Sequence, residues 1–149
     1  MKTPTGCLRA FACIAGGEDT PDLSGIVKFY QTKCGVLVSA DIFGLPTQPG
    51  IHGFHIHEGA FCGGEGFSET MGHFNPGGTE HPYHAGDLPP LFSCGGRSHM
   101  SVLTDRFSVE EVLGKTVVIH SHPDDFHTQP GGDSGEKIAC GVIRSCCSH

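Results

Sequence analysis

The chain has 149 residues, enough for one domain with a real core. Its formal net charge of -7 excludes a phosphate-backbone partner, so no nucleic acid is expected. No apolar run approaches the roughly 18 residues of a membrane-spanning helix, and 23 glycines with 10 prolines favour short strands joined by turns over long helices.

Near the start, Arg9 interrupts an apolar stretch that is too short and badly flanked for an export signal. The expectation is a protein that stays inside the cell or one whose leader has been removed, with the compartment open. Residues 9–15 read as a first strand and 16–21 as a turn rich in Gly, Asp and Pro. In the strand at 24–32, Val27 and Phe29 share one face and Lys28 takes the other. Over 35–43, Val36, Val38, Ala40 and Ile42 alternate with Leu37, Ser39, Asp41 and Phe43, and the first set is the core face.

At 52–58 the strand period carries chemistry. Side chains at i and i+2 share a face, so His55 and His57 project together while Phe54 and Ile56 point inward. Further on, the stretch from His73 to Asp87 offers His73, His81, His84 and Asp87 in a loop bent by Pro76, Gly77, Gly78, Pro82 and Gly86. Three imidazoles and a carboxylate make a four-coordinate zinc set, against the plainer alternative of a His-rich surface loop. From Asp87 the chain runs through 88–92, turns at Gly95 and Gly96, and continues over 100–104 in strand-like alternation. Ser108 and Glu111 have capping-box spacing, yet a loop is the expected form of 108–113. At 114–120, Val117 and Ile119 take the core phase and leave His120 on the outer face with His55 and His57. A polar loop then leads to a closing strand at 138–143.

About eight short antiparallel strands with two long loops, 59–86 and 121–137, predict an all-β Greek-key barrel or sandwich, with residues 1–149 as a single domain. Loops of that length in a compact domain usually carry function. The eight cysteines, Cys7, Cys13, Cys34, Cys62, Cys94, Cys140, Cys146 and Cys147, show no zinc-knuckle or thioredoxin spacing, and adjacent Cys146 and Cys147 read as free thiols. His52, His99 and His149 lack donor partners in sequence and read as surface or turn residues, with His52 at most an outer contact of the site.

The motifs Gly53-Phe-His-Ile-His-Glu58, His73-Phe-Asn-Pro76, His84-Ala-Gly-Asp87, Gly114-Lys-Thr-Val-Val-Ile-His120 and Ala139-Cys-Gly-Val-Ile143 occur in an order that resembles the copper/zinc superoxide dismutases of the bacterial type. The likeness runs from about residue 23 to residue 143. It implies His55, His57, His73 and His120 as copper ligands, and His73, His81, His84 and Asp87 as zinc ligands, with His73 shared. It also implies a disulfide between Cys62 and Cys140, and Asp124 as the carboxylate linking a copper histidine to a zinc histidine. The implied activity converts superoxide to dioxygen and hydrogen peroxide by Cu(II)/Cu(I) cycling, with His73 carrying a proton. Imidazole suits both ions, which agrees with these roles.

Three places depart from the family pattern. Lys137 stands where the family carries an arginine that guides the anion, keeping the charge but losing the planar fork. Loop 121–137 holds Asp124, Asp125, Asp133 and Glu136 against Lys137, a formal charge of one minus four, so steering of superoxide should be poor. Only Pro82 and Tyr83 separate His81 from His84, which demands a sharp turn. Two rival readings remain: a noncatalytic copper/zinc-binding or metal-delivery domain, and a zinc hydrolase, for which no free base is evident. Whether the protein is a monomer or a homodimer is left open.

Overall fold

The computed structural model describes residues 6–146. Three strands, β1 (Cys7–Gly16), β2 (Ser24–Thr32) and β3 (Gly35–Phe43), form an antiparallel meander. The chain then makes the short β4 (Ile51–His52) and crosses to β5 (Phe54–His57). After an irregular 3-10 segment (Glu65–Thr70) and β6 (Leu91–Phe92), it returns as β7 (Ser98–Thr104) beside β3. A one-turn helix α1 (Val109–Val112) precedes β8 (Thr116–His120) and β9 (Lys137–Val142), and the short β10 (Arg144–Ser145) pairs with β1.

The main sheet runs in the order β5-β8-β9-β1-β2-β3-β7, and β4 pairs with β6 separately. The chain leaves the meander at one end of this ladder for β5 at the other, which is the long return connection of a Greek key. Residues from both ends, Val38 and Ile42 on β3 and Phe54 and Ile56 on β5, share one buried cluster with Phe29 and Val117. A sheet whose distant strands feed one core must curl around it. The alternation expected over 35–43 holds, with Val36, Val38, Ala40 and Ile42 all fully buried. Phe29 is also fully buried, and truncating such a residue to alanine costs about 3–5 kcal/mol through lost contacts and cavity.

Two expectations need correction. Residues 108–113 contain a helical turn rather than only a loop: Ser108 Oγ accepts the Glu111 N–H at 3.4 Å, while buried Val109 and Val112 anchor the turn to the core. His52 is fully buried on β4, not a surface residue; its Nδ1 lies 3.0 Å from the His120 carbonyl and its Nε2 3.2 Å from that of Pro46. His99 does lie on the surface, 2.7 Å from Asp41. His149 and Cys147 fall outside the described residues.

Cys62 and Cys140 form a disulfide with a Cα separation of 5.7 Å, fastening the loop after β5 to β9. Cys7, Cys13, Cys34 and Cys94 are free and exposed, and Cys146 is free and half-buried.

Candidate metal centre

Strand pairing builds the first cluster. β5 and β8 are antiparallel with Phe54 opposite Ile119, so the histidines that alternate with these core residues emerge on the same side. The ladder is irregular between Ile119 and His120, and His120 is clamped there: its N–H donates to Gly53 O at 2.8 Å and its carbonyl receives the contact from His52. Ring centroids of His55 and His120 lie 4.9 Å apart, and those of His57 and His120 5.4 Å.

The second cluster is carried by the loop that docks alongside β5. Ile56 donates to Gly86 O at 2.8 Å, Phe74 donates to Ile56 O at 2.8 Å, and His73 and Asp87 stand across from His57 and His55. A Cβ at Gly86 would run into the Ile56 carbonyl, so only glycine allows this close backbone approach. The sharp turn required between His81 and His84 is present, closed by the Tyr83 N–H donating to Glu80 O at 2.7 Å. The outer face of β5 and β8 is therefore not wet. His55 is fully buried, and His57 and His120 are 2% and 5% exposed, because the two long loops cover them.

Hydrogen bonds on the far side of each ring fix which nitrogen faces inward. His57 Nδ1 donates to Met71 O at 2.8 Å and His120 Nδ1 to Gly135 O at 3.4 Å, which leaves an unprotonated Nε2 on each ring. These two Nε2 atoms face each other at 3.3 Å. His55 and His81 donate their Nε2 hydrogens to the two oxygens of Asp124, both at 2.7 Å, and their Nδ1 atoms are buried without a hydrogen-bond partner. His81 Nδ1 does lie 3.0 Å from Asp87 Oδ2, but with its proton committed to Asp124 this is two acceptors in contact rather than a hydrogen bond. Asp87 also meets His73 Nδ1 at 2.7 Å and His84 Nδ1 at 3.3 Å.

Lone pairs pointing at one another in a dry site repel unless a cation lies between them. The donors gather into two such places: His55, His57, His73 and His120 in one, and His73, His81, His84 and Asp87 in the other, with donor atoms in each within 4.8 Å. His73 belongs to both. A nitrogen-only set suits copper, and a set of three imidazoles and a carboxylate suits tetrahedral zinc, so the residues present fit both ions. His55, His81 and Asp124 also cluster, but through shared protons, which makes them a bracket between the two sets rather than a third metal position.

Electrostatics agree with neutral rings. Burial lowers His55 to about 4 against the partial support of Asp124, and lowers His120 to about 3. Burial also holds His57 well below the usual imidazole value and lowers His84. For Asp124, burial alone would raise the carboxyl, but hydrogen bonds from His55 and His81 outweigh it and keep it well below the usual carboxylate range. Asp87 follows the same pattern, with burial opposed chiefly by the hydrogen bond from His73. The neutral imidazole is the form that binds metal.

Lys137 begins β9 at the rim of the first cluster, where Nζ donates to Thr70 Oγ1 at 2.8 Å and to Met71 O at 2.9 Å. Partial desolvation lowers its pKa. A cleft of about 890 Å³ opens beside it, lined by segments 17–20, 64–67 and 135–138. Glu18, Asp19, Glu65 and Glu136 line this cleft and form no ion pair among the described residues.

The seven side chains expected as ligands thus lie together in the two donor sets, with Asp124 between them and Lys137 at the rim. His52 is the outer contact that the sequence allowed, through the His120 carbonyl, and the parts that sequence reasoning missed are the Met71 and Gly135 carbonyls, Thr70 and Gly132. A Cβ at Gly132 would collide with Asp124 Oδ1 and meet His81 Nε2 at 2.7 Å. The run Pro130-Gly131-Gly132 lies in the stretch read only as a polar loop, and nothing in it signals that closeness.

Comparison with known proteins gives a consistent result. The chain matches the copper/zinc superoxide dismutase family over residues 23–143. It is 38% identical over 132 residues to a Cu-Zn superoxide dismutase of Legionella pneumophila, covering 83% of this chain and 80% of that protein. It is 36% identical over 152 residues to a Cu-Zn superoxide dismutase of Aquifex aeolicus, with coverage of 92% and 87%. Among solved structures, a double mutant of a SOD-like protein from Bacillus subtilis superposes with a TM-score of 0.75 at 26% identity, covering 90% of this chain and 96% of that one.

Proposed function

Since this chain belongs to the copper/zinc superoxide dismutase family, we propose that His55, His57, His73 and His120 hold its copper and that His73, His81, His84 and Asp87 hold its zinc. The protein is an oxidoreductase that takes superoxide to dioxygen and hydrogen peroxide, with copper and zinc as cofactors. The observation that carries the assignment is the pair of converging donor sets that share one ring, His73, with the Nε2 atoms of His57 and His120 face to face and the Nδ1 atoms of His55 and His81 buried without a hydrogen-bond partner. A single core fed by every long strand supports treating residues 1–149 as one domain.

Copper supplies one-electron exchange between Cu(II) and Cu(I), while zinc sets the basicity of the shared ring. The remaining work is done by side chains. Met71 O and Gly135 O hold His57 and His120 in the tautomers that aim Nε2 inward. Asp124 does the same for His55 and His81 through Nε2, so one carboxylate sets the ring orientation in both donor sets. His73 faces Asp87 and His84 with Nδ1, which leaves Nε2 as the atom that takes a proton and hands it to the departing peroxide. Lys137 presents its ammonium at the rim, where it attracts the anion.

Metal analysis joined to a superoxide decay assay tests this reading. One copper and one zinc per chain with accelerated decay is expected, and His120→Ala should lose copper and activity while zinc is retained. Zinc alone with no acceleration would favour the rival noncatalytic metal-binding domain. Unchanged activity in His120→Ala would remove the copper assignment.

A further inference from the structure

We propose that Thr70 is the positioning residue for the Lys137 ammonium. The inference rests on the reading of Lys137 as the group that attracts the anion, and it concerns what aims that group. Lysine is a flexible stem carrying a point charge, without the rigid fork by which an arginine orients itself, so something outside the side chain must fix it. Thr70 is fully buried, and its hydroxyl donates to Phe67 O at 2.7 Å. That donation fixes the hydroxyl hydrogen and turns a lone pair of Oγ1 toward Lys137, whose Nζ lies 2.8 Å away. A second ammonium hydrogen goes to Met71 O at 2.9 Å. An ammonium has three hydrogens, so one remains for a small anion.

The same anchor reaches the copper set. Met71 O accepts from His57 Nδ1 at 2.8 Å as well as from Lys137, so one carbonyl ties the rim charge to a ligand ring. Thr70 holds the charge from the neighbouring residue. The segment carrying both is fastened to β9, the strand that begins with Lys137, by the Cys62–Cys140 disulfide. Without the Thr70 hydroxyl, the Met71 carbonyl alone would hold the ammonium, and the long stem would regain rotamers that point it into solvent.

The test measures azide affinity of the copper- and zinc-loaded protein in Thr70→Val, Thr70→Ser and Lys137→Met, and, in the copper-reduced diamagnetic form of the parent and the two Thr70 variants, the heteronuclear NMR signal of the Lys137 ammonium. Valine keeps the shape and removes the hydroxyl, whereas serine keeps the hydroxyl. Thr70→Val should bind azide about tenfold more weakly and lose the ammonium signal to solvent exchange. Thr70→Ser should retain both, and adding Thr70→Val to Lys137→Met should bring no further loss, since both act through one ammonium. If Thr70→Val does not fold, Thr70→Ala removes the same hydroxyl without adding bulk and is read the same way. Parental azide affinity together with a persistent ammonium signal in the hydroxyl-free variant would overturn the proposal. Parental azide affinity in Lys137→Met would instead defeat the anion-attracting role of Lys137, while the ammonium signal would still report on Thr70.

Discussion

Asp124 Oδ2 lies 2.7 Å from His55 Nε2, and this contact decides which nitrogen of a core-strand histidine faces the donor set of His55, His57, His73 and His120. The partner oxygen makes the equivalent contact with His81 in the donor set of His73, His81, His84 and Asp87. A carboxylate is the one side chain that can accept from both rings at once, because it has no hydrogen of its own to place. The two clusters are thereby coupled by geometry as well as by the shared His73 ring.

Asp124→Asn tests that coupling. An asparagine keeps the shape but offers one acceptor and one donor group, so one of the two rings must meet an N–H and move its own proton to Nδ1. That nitrogen then stops being a donor to metal. Zinc or copper affinity, measured by chelator competition, should fall about 10–100-fold according to which ring meets the N–H, with little change in the melting temperature of the metal-free protein. Parental affinity for both metals in Asp124→Asn would show that ring orientation is fixed by packing alone.

The cleft beside Lys137 makes an unusual salt response the expected one. Glu18, Asp19, Glu65 and Glu136 line it, and the chain carries a net charge of -7. For an anionic substrate, added salt screens repulsion at least as much as it screens the single lysine, so kcat/KM should rise or stay within about twofold as ionic strength goes from about 0.01 M to 0.15 M. Glu136→Lys should raise the low-salt rate several-fold and convert the response into a fall with salt. A steep fall in the parent protein would mean that Lys137 dominates the field.

How much of this was legible in the sequence depended on whether a side chain carried the information. The alternation of Val36, Val38, Ala40 and Ile42 is visible because one face of β3 is buried and the other is not. His55, His57 and His120 betray a shared face through the same parity. The burial of that face is not visible, since it comes from loops folding back over β5 and β8. The burial of His52 was not legible because its partners are the carbonyls of His120 and Pro46, and main-chain acceptors have no residue identity to recognise. The same holds for Met71 and Gly135. The turn at Ser108 was visible as a cap, but its helical form depends on Val109 and Val112 finding the core.

The Cys62–Cys140 bridge spans 78 residues and joins the loop that carries Thr70 and Met71 to the strand that starts with Lys137. The chain-entropy model assigns a loop of that size about 4–5 kcal/mol at most, through restriction of the unfolded chain. Replacing both cysteines by alanine should lower the unfolding free energy obtained from denaturant titration by an amount within that bound. It should also loosen the hold on Lys137, so azide affinity should drop together with stability. Lost stability with parental azide affinity would show that the hydrogen bonds of Thr70 and Met71 hold the lysine unaided.

Acid should weaken the metal-stripped protein well above the pH at which carboxylates protonate. Burial lowers His55 to about 4 and His120 to about 3 in the folded chain, and lowers His57 as well, whereas an unfolded imidazole titrates near 6.5. Below about pH 6.5 the unfolded chain binds protons that the folded chain refuses, so stability present above that pH is lost as the pH falls toward the folded values. Each ring adds a slope approaching about 1.4 kcal/mol per pH unit, and because the rings interact their slopes do not simply sum. Urea unfolding of the metal-stripped protein between pH 7.5 and 4.5 should therefore show a midpoint that is level at the top and drops steadily below 6.5. Rebinding zinc should move the drop to lower pH, since protons must then displace a cation to reach His81 and His84. A midpoint that stays level from pH 6.5 to 5 in the stripped protein would mean that the rings accept protons without cost, and the argument that their inward nitrogens are held neutral and dry would fail.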